Sequence, residues 1–350
     1  MKNTTFEFDF LVFIGRFQPF HKGHAKVLRQ ALESASQVII LAGSAHQPRS
    51  TRNPWLVSER EAMVRSTLSE AENAHVHVAP LMDVMYNDEL WVRNVQSTVN
   101  GYVTAHHKVP HRAPKVGLIG HSKDHSSYYL NLFPQWGNVS VENVEGINAT
   151  RIRQKLLEAE GERLSTLQEE LPEAVHGHLT SFCGTPTFQA LQAEQKFISQ
   201  YRKAWEASPY PPTFVTVDAV VVQSGHVLMV ERKANPGKGL LALPGGFIDQ
   251  NEKLIDACLR ELREETRLKV PGPVLKGSIK SQQVFDDPYR SARGRTITHA
   301  FHIELEPSQA LPKVKGGDDA RSAMWVPLAD LDPSKIFEDH YFIIQKMTGM

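Results

Sequence analysis

Short apolar runs separated by segments of helical period recur along the first half of the chain. Residues 10–14 (FLVFI) read as a buried strand, Gly15-Arg16-Phe17-Gln18-Pro19 breaks it, and a helix is expected from about Gly23 to Ala35. Residues 38–42 (VIILA) form a second apolar strand, ended by Gly43. Ser58 with Glu61 fits a capping box, which places a helix over Glu59 to Leu68. Residues 75–79 alternate like a third strand, a helix is expected from Asp88 to about Thr104, and strands follow at 116–119 and 139–144. Helical pattern resumes near Thr150. Strands and helices alternating at this spacing predict an open parallel α/β sheet.

The pattern changes between about 176 and 212. Thr185-Pro186 reads as a helix cap with proline in the first turn, and Phe188, Leu191, Phe197, Ile198, Tyr201 and Trp205 follow at roughly helical spacing. Ser208-Pro209-Tyr210-Pro211-Pro212 then stops the helix. Beyond it come strand-like runs at 214–222 and 227–231, a glycine turn at 244–246, a helix, and strands at 282–285 and 296–305. That is an α+β pattern, so the expected division is 1–180, a linking helix within 181–212, and 213–350.

Composition narrows the partners. Lys+Arg and Asp+Glu both number 39, so no global field recruits nucleic acid or an anionic membrane, and phosphate must be met by local clusters. Two cysteines, Cys183 and Cys258, give no disulfide framework and point to a reducing compartment. The first nine residues lack a cationic, apolar leader, and no apolar run approaches a membrane span. A cytoplasmic protein is expected; a homo-oligomer is left open.

The most informative stretch begins Gly246-Phe-Ile-Asp-Gln-Asn-Glu252 and, after seven residues, ends Arg260-Glu261-Leu262-Arg263-Glu264-Glu265. Helical spacing puts Glu261, Glu264 and Glu265 on one face, where they repel unless a hard cation such as Mg²⁺ (Mn²⁺ as an alternative) joins them. Leu254, Cys258 and Leu262 give a separate apolar stripe, and Pro244-Gly245-Gly246 allows a sharp turn before the helix. This stretch resembles the Nudix box of metal-dependent pyrophosphohydrolases, with one departure: Arg267 stands where the family has a glycine. The resemblance implies that Glu261, Glu264 and Glu265 are metal ligands oriented by Arg260, that Arg260, Glu264 and Glu265 are catalytic, and that Gly246 lines the site. Asp318 and Asp319 are candidate loop acids, with an ordinary acidic turn the favoured alternative. Phe285, Tyr289, Arg290, Arg293 and Arg295 lie close together, the arginines suited to phosphates and the rings to a base. That segment looks like ADP-ribose pyrophosphatases of the Nudix family.

At the other end, the strand 10–14 runs into Gly15-Arg16-Phe17-Gln18-Pro19-Phe20-His21-Lys22-Gly23-His24. Two histidines at a strand-to-helix junction can donate to phosphate oxygens, and a helix N-terminus favours anions. His-x-Gly-His after the first strand resembles the signature of the nucleotidyltransferase superfamily. Ile147-Asn148-Ala149-Thr150-Arg151-Ile152-Arg153 is similar to its second motif, with Asn148 and Ala149 departing from the usual residues. Together with Thr51-Arg52-Asn53-Pro54-Trp55 and Glu89-Leu90-Trp91-Val92, the string looks like nicotinamide mononucleotide adenylyltransferases of the archaeal-like type. The implied fold is a Rossmann-like α/β nucleotidyltransferase domain followed by an α+β Nudix domain. The resemblance implies that His21, His24 and Arg153 are catalytic. Arg16, Arg151 and Lys22 would hold phosphate, Gly15, Phe17 and Thr150 would line the nucleotide site, and Trp91, Arg52 and Asn53 would surround nicotinamide. For Trp91 a core role is an equal alternative.

The two resemblances imply a bifunctional enzyme of NAD metabolism. One half would make NAD and pyrophosphate from ATP and nicotinamide mononucleotide; the other would cut ADP-ribose with Mg²⁺. Alternatives for the second half are NADH, another nucleoside diphosphate derivative, or a non-catalytic ADP-ribose sensor. Intact metal carboxylates oppose the sensor, and balanced charge opposes DNA binding. His106-His107-Lys108-Val109-Pro110-His111 reads as a solvated loop, since no carboxylate or cysteine stands at ligand spacing.

Overall fold

The structure, a computed structural model, describes residues 6–109, 111–120, 132–142, 146–158 and 164–350. The chain divides into two compact units, 1–192 and 193–350.

The first unit runs β1 (Phe8–Gly15), α1 (Lys22–Ser34), β2 (Ala35–Ala42), α2 (Val57–Arg65), α3 (Glu70–Asn73), β3 (Val76–Pro80) and α4 (Asp88–His106). It continues with β4 (Val116–Gly120), β5 (Gly137–Ser140), α5 (Ala149–Glu158), α6 (Glu173–Cys183) and the start of α7 (Pro186–Ala204). All pairings in its five-stranded sheet are parallel, in the order β3-β2-β1-β4-β5. The order reverses between β1 and β4. In such sheets ligands bind beyond the carboxyl ends of the strands at that reversal, which is where β1 ends at Gly15. The apolar faces of β1 and β2 feed two clusters, one with Leu11, Phe13, Val38 and Ile40, the other with Phe10, Val12, Ile39 and Leu41. A strand buried on both faces explains why these runs are continuously apolar.

Two expectations need correction. Helix α2 begins at Val57, and Glu59, not Glu61, closes its first turn: Glu59 Oε2 accepts from the Leu56 N–H at 2.7 Å. Glu61 instead pairs with Arg65 one turn on, and the helix ends there, short of Leu68. The fifth strand lies at 137–140, earlier than expected, and residues 143–144 of the expected span lie outside the described residues. Thr185 does cap α7, accepting from the Phe188 N–H at 3.1 Å.

The second unit contains the end of α7, then β6 (Phe214–Gln223), β7 (His226–Arg232), β8 (Leu241–Ala242), β9 (Gly245–Phe247) and α8 (Leu254–Thr266). α9 (Gly272–Gly277), β10 (Ile279–Phe285), β11 (Thr296–Glu304), β12 (Ala320–Pro327) and α10 (His340–Thr348) complete it. Its sheet is mixed: β11 pairs parallel to β6, and the remaining pairings are antiparallel. Ala257, Cys258, Leu262 and Leu259 carry the apolar face of α8 onto Val217, Ala219, Phe301 and Ile303. The opposite face is thereby left to its carboxylates.

Arg267 is explained by the end of α8. It is the helix cap in left-handed conformation, φ 53°, the geometry a glycine would adopt without strain. The last carbonyls are taken by the loop that follows β11: the Lys315 N–H donates to Thr266 O at 2.9 Å and the Gly317 N–H to Glu265 O at 3.0 Å. A Cβ on Gly317 would lie 2.5 Å from Glu264 O and 2.6 Å from Arg267 Nε, so this loop must be glycine to sit there. Left-handed backbone costs an L-residue about 1–2 kcal/mol. Arg267→Gly is therefore expected to stabilise the second unit by about 1 kcal/mol in urea unfolding; a loss of stability would mean that the side chain over Gly317 outweighs the strain.

Candidate functional site

In the first unit β1 delivers the chain into α1 through a turn built around two histidines. His21 is the helix cap: its Nδ1 accepts from the His24 N–H, and His24 Nδ1 accepts from the His21 N–H, both at 3.3 Å. The rings stack with centroids 3.7 Å apart. Because both Nδ1 atoms accept, each neutral ring carries its proton on Nε2, an assignment that follows from the hydrogen bonds. The pair is a double donor. Gly23 makes the stack feasible, since a Cβ there would come within 3.0 Å of His21 Cε1. Phe13, Phe17 and Phe20 surround the His24 ring, and Gly15 leaves room for Phe17, whose ring a Cβ would meet at 2.9 Å.

Three of the expected arginines gather here. Burial pushes Arg153 down to about 9, helped by Arg16 and Arg52, and burial with Arg52 pushes Arg16 down to about 10 against the pull of Asp83. Arg153 donates to Gln18 O at 2.7 Å and to Thr150 Oγ1 at 3.1 Å, which puts the motif threonine to use as its prop. Asn148 Oδ1 accepts from the Thr150 N–H at 2.8 Å and so serves the start of α5. Arg16 Nη1 is buried with no partner among the described residues. Guanidiniums that depress one another and leave a buried N–H unmet are chemically suited to an anion.

Other expected residues are placed differently. Arg151 is exposed on α5, and Lys22 Nζ donates to Gln168 O at 3.2 Å. Arg52 is exposed and acts on Arg16 and Arg153 through its charge. Asn53 is buried, with its amide nitrogen on Gln47 Oε1 at 3.0 Å. Trp91 is half-buried against the cluster containing Phe133, the two rings 6.1 Å apart. Sequence reasoning missed Arg60. It is buried in α2 and donates to Arg16 O at 2.6 Å and Gly43 O at 2.7 Å, tying together the ends of β1 and β2.

In the second unit two of the three expected metal carboxylates, together with Glu252, converge on one arginine. Arg260 donates to Glu252 at 2.6 Å, Glu261 at 2.8 Å and Glu264 at 3.1 Å. That crowd of anions raises the guanidinium's pKa. A Cβ on Gly246 would stand 2.7 Å from the Glu261 carboxyl, so glycine at this point is what admits the side chain. Glu265 is buried and accepts from the Gly245 N–H at 3.0 Å. Among the described residues no three His, Cys, Asp or Glu side chains stand as a finished metal cage, because Arg260 and the Gly245 N–H hold these acids. The donor set is nonetheless all carboxylate oxygen on one helix face, which fits a hard divalent cation. Asp318 is near enough to help raise Glu261, itself raised chiefly by burial; Asp319 acts on Arg232.

Burial pushes Glu265 up to about 8 from 4.5, with Glu261 adding to it and the Gly245 N–H opposing. A carboxyl raised on folding stabilises the fold below its unfolded value, and that stabilisation is lost as pH rises from about 4.5 to about 8. In a chelator, the urea midpoint of the second unit should therefore fall across this window in the wild type and much less in Glu265→Gln. An equal fall in both would remove Glu265 as the cause.

The arginine-rich segment departs most from expectation. Phe285 is fully buried, so its ring offers no face to a base, while Tyr289 is 71% exposed. Arg290 turns inward: Nε and Nη2 each meet Asp339 at 2.9 Å, and both side chains are almost wholly buried. Its phosphate-facing role is corrected to an internal ion pair. Arg295 pairs with Asp286. Arg293 lies toward the glycine turn, its guanidinium 5.0 Å from the Phe247 ring. Asp218, also missed, accepts from Thr298 Oγ1 at 2.6 Å beneath Gly245 and is raised by burial. The signal available for it was a lone acid inside an apolar strand.

The cytidylyltransferase-like family model matches residues 12–155 and the NUDIX domain model residues 212–347. The chain is 38% identical to a nicotinamide/nicotinic acid mononucleotide adenylyltransferase of Acinetobacter baylyi, over 56% of this chain and 96% of that one. It is 35% identical to an ADP-ribose pyrophosphatase of Methanocaldococcus jannaschii, over 37% of this chain and 70% of that one. A crystal structure of a bifunctional NMN adenylyltransferase/ADP ribose pyrophosphatase from Francisella tularensis, complexed with AMP and a Mn ion, is 34% identical. It superposes with a TM-score of 0.89, covering 98% of this chain and 99% of that one.

Proposed function

The chain belongs to the family of bifunctional NMN adenylyltransferase/ADP-ribose pyrophosphatases, and we propose that it carries both reactions, one in a domain over 1–180 and one over 213–350, joined through 181–212. The first transfers AMP from ATP to nicotinamide mononucleotide, giving NAD and pyrophosphate. The second hydrolyses ADP-ribose to AMP and ribose 5-phosphate. The observation that carries the reading is one chain holding two separate phosphate devices: paired histidine donors beside mutually depressed arginines, and a carboxylate face gathered by Arg260.

In the first reaction the protein supplies no nucleophile; the mononucleotide's own phosphate attacks the α-phosphorus of ATP. His21 and His24 donate from Nε2 to phosphate oxygens as charge builds, and Arg16 and Arg153 neutralise it. Arg52, Asn53 and Trp91 shape the pocket for the mononucleotide. In the second reaction Glu261, Glu264 and Glu265 would hold Mg²⁺ or Mn²⁺, which when bound polarises the diphosphate and neutralises the leaving phosphate. Arg260 holds Glu261 and Glu264, and the Gly245 N–H holds Glu265. Asp318 is the loop acid whose charge acts on Glu261 and the first choice for taking the proton of the attacking water.

The test is a set of separate assays of the pure protein in Mg²⁺ with ATP plus nicotinamide mononucleotide, with ADP-ribose, and with NADH. NAD formation and ADP-ribose cleavage are expected. NADH cleavage without ADP-ribose cleavage would overturn the substrate of the second half, and retarded migration of promoter DNA with no turnover would replace it by a sensor.

A further inference from the structure

Phe285 is buried, but a larger aromatic surface lies beside the glycine turn. Phe214, half-buried at the start of β6, is met steeply by two exposed rings: Trp205 at 5.2 Å and 70°, and Phe247 at 5.9 Å and 74°. Trp205 is 45% exposed and Phe247 37%. On a molecule whose other rings are mostly packed, two large aromatic faces turned to solvent around one shared ring are a costly arrangement unless something covers them.

Several contacts build this platform. Phe214 is fixed by its N–H on Arg295 O at 2.8 Å, and Gly294 leaves it space, since a Cβ there would lie 3.2 Å from the ring. Arg202, near the end of α7, donates through both Nε and Nη2 to Ala292 O at 3.0 and 2.7 Å, so the turn carrying Trp205 is pinned to the loop carrying Arg293. The Arg293 guanidinium lies over one face of the Phe247 ring, and its Nε is buried without a partner among the described residues. Phe247 is the neighbour of Gly246, against which the Glu261 carboxyl packs. The Phe247 carbonyl accepts from Arg260 Nη2 at 3.2 Å, so the strand that carries the aromatic surface is tied to the arginine that gathers Glu261 and Glu264.

We propose that Trp205, Phe214 and Phe247, with Arg293, form the stacking subsite for the purine base of the substrate cut at the carboxylate site. The assignment of ADP-ribose as substrate rests on the function proposed above; the stacking does not. Flat apolar rings select a base by its π-face, and Arg293 provides a cation between base and diphosphate.

Two measurements test it. AMP should quench tryptophan emission in the wild type, and the difference from Trp205→Phe isolates the contribution of Trp205; ribose 5-phosphate, which lacks a base, should give no such difference. In steady state, Trp205→Ala and Phe247→Ala should each raise KM for ADP-ribose about 5- to 100-fold with kcat within about twofold, and Trp205→Phe should recover most of the loss. Both rings are exposed, so their truncation leaves the core intact. Equal quenching in wild type and Trp205→Phe, or unaltered KM in both alanine variants, overturns the subsite. A Trp205-specific quench by AMP in a protein that does not cut ADP-ribose would keep the subsite and remove the substrate.

Discussion

Glu265→Gln should lower ADP-ribose hydrolysis about 10³-fold while NAD formation stays within about twofold. Glutamine preserves the oxygen that accepts from the Gly245 N–H at 3.0 Å, and it matches the neutral form that burial favours in the metal-free protein. What it removes is the ability to become an anion when a cation arrives. The variant should therefore fold and should bind divalent cations more weakly, which calorimetry with Mn²⁺ can read directly. No member of the carboxylate set belongs to residues 1–192, so synthesis has no reason to change. Parallel loss of both activities would contradict two independent sites, and full hydrolysis would contradict the ligand role.

His21→Ala should do the converse, lowering NAD formation about 10²- to 10³-fold and sparing hydrolysis. His21 both caps α1 and stacks on His24, so alanine also costs the helix about 1 kcal/mol. His21→Asn separates the two roles. Asparagine is among the best helix caps, so it should return thermal stability close to the wild type, yet it cannot present an imidazole Nε2–H to a phosphate. If the asparagine variant recovered the rate along with the stability, the histidine would be a cap and nothing more. If the alanine variant made NAD at the wild-type rate, the site would be misplaced.

The two predictions draw on residues that were legible because their geometry is local. His21 and His24 are three apart at the start of one helix, and Glu261, Glu264 and Glu265 share one turn of another; helical periodicity alone makes each set converge. Where the expectation failed, the deciding partner was distant in the chain. Arg290 looked like its neighbours Arg293 and Arg295, but Asp339 captures it 49 residues on, and burial then removes it from any phosphate. The Phe285 ring was expected to meet a base, yet it is fully buried.

The carboxylate helix shows the same division most sharply. The chain's own order determined that these acids face one way, that Arg260 lies among them, and that a glycine turn precedes them, because spacing along a helix is set by its pitch. Only the tertiary structure decided that Gly246 admits Glu261, that burial holds Glu265 near 8, and that Arg267 can replace a glycine. The reason is physical: pKa and backbone strain depend on what packs against a group. For Arg267 that is the 315–317 loop, which takes the helix's last carbonyls and makes room with Gly317.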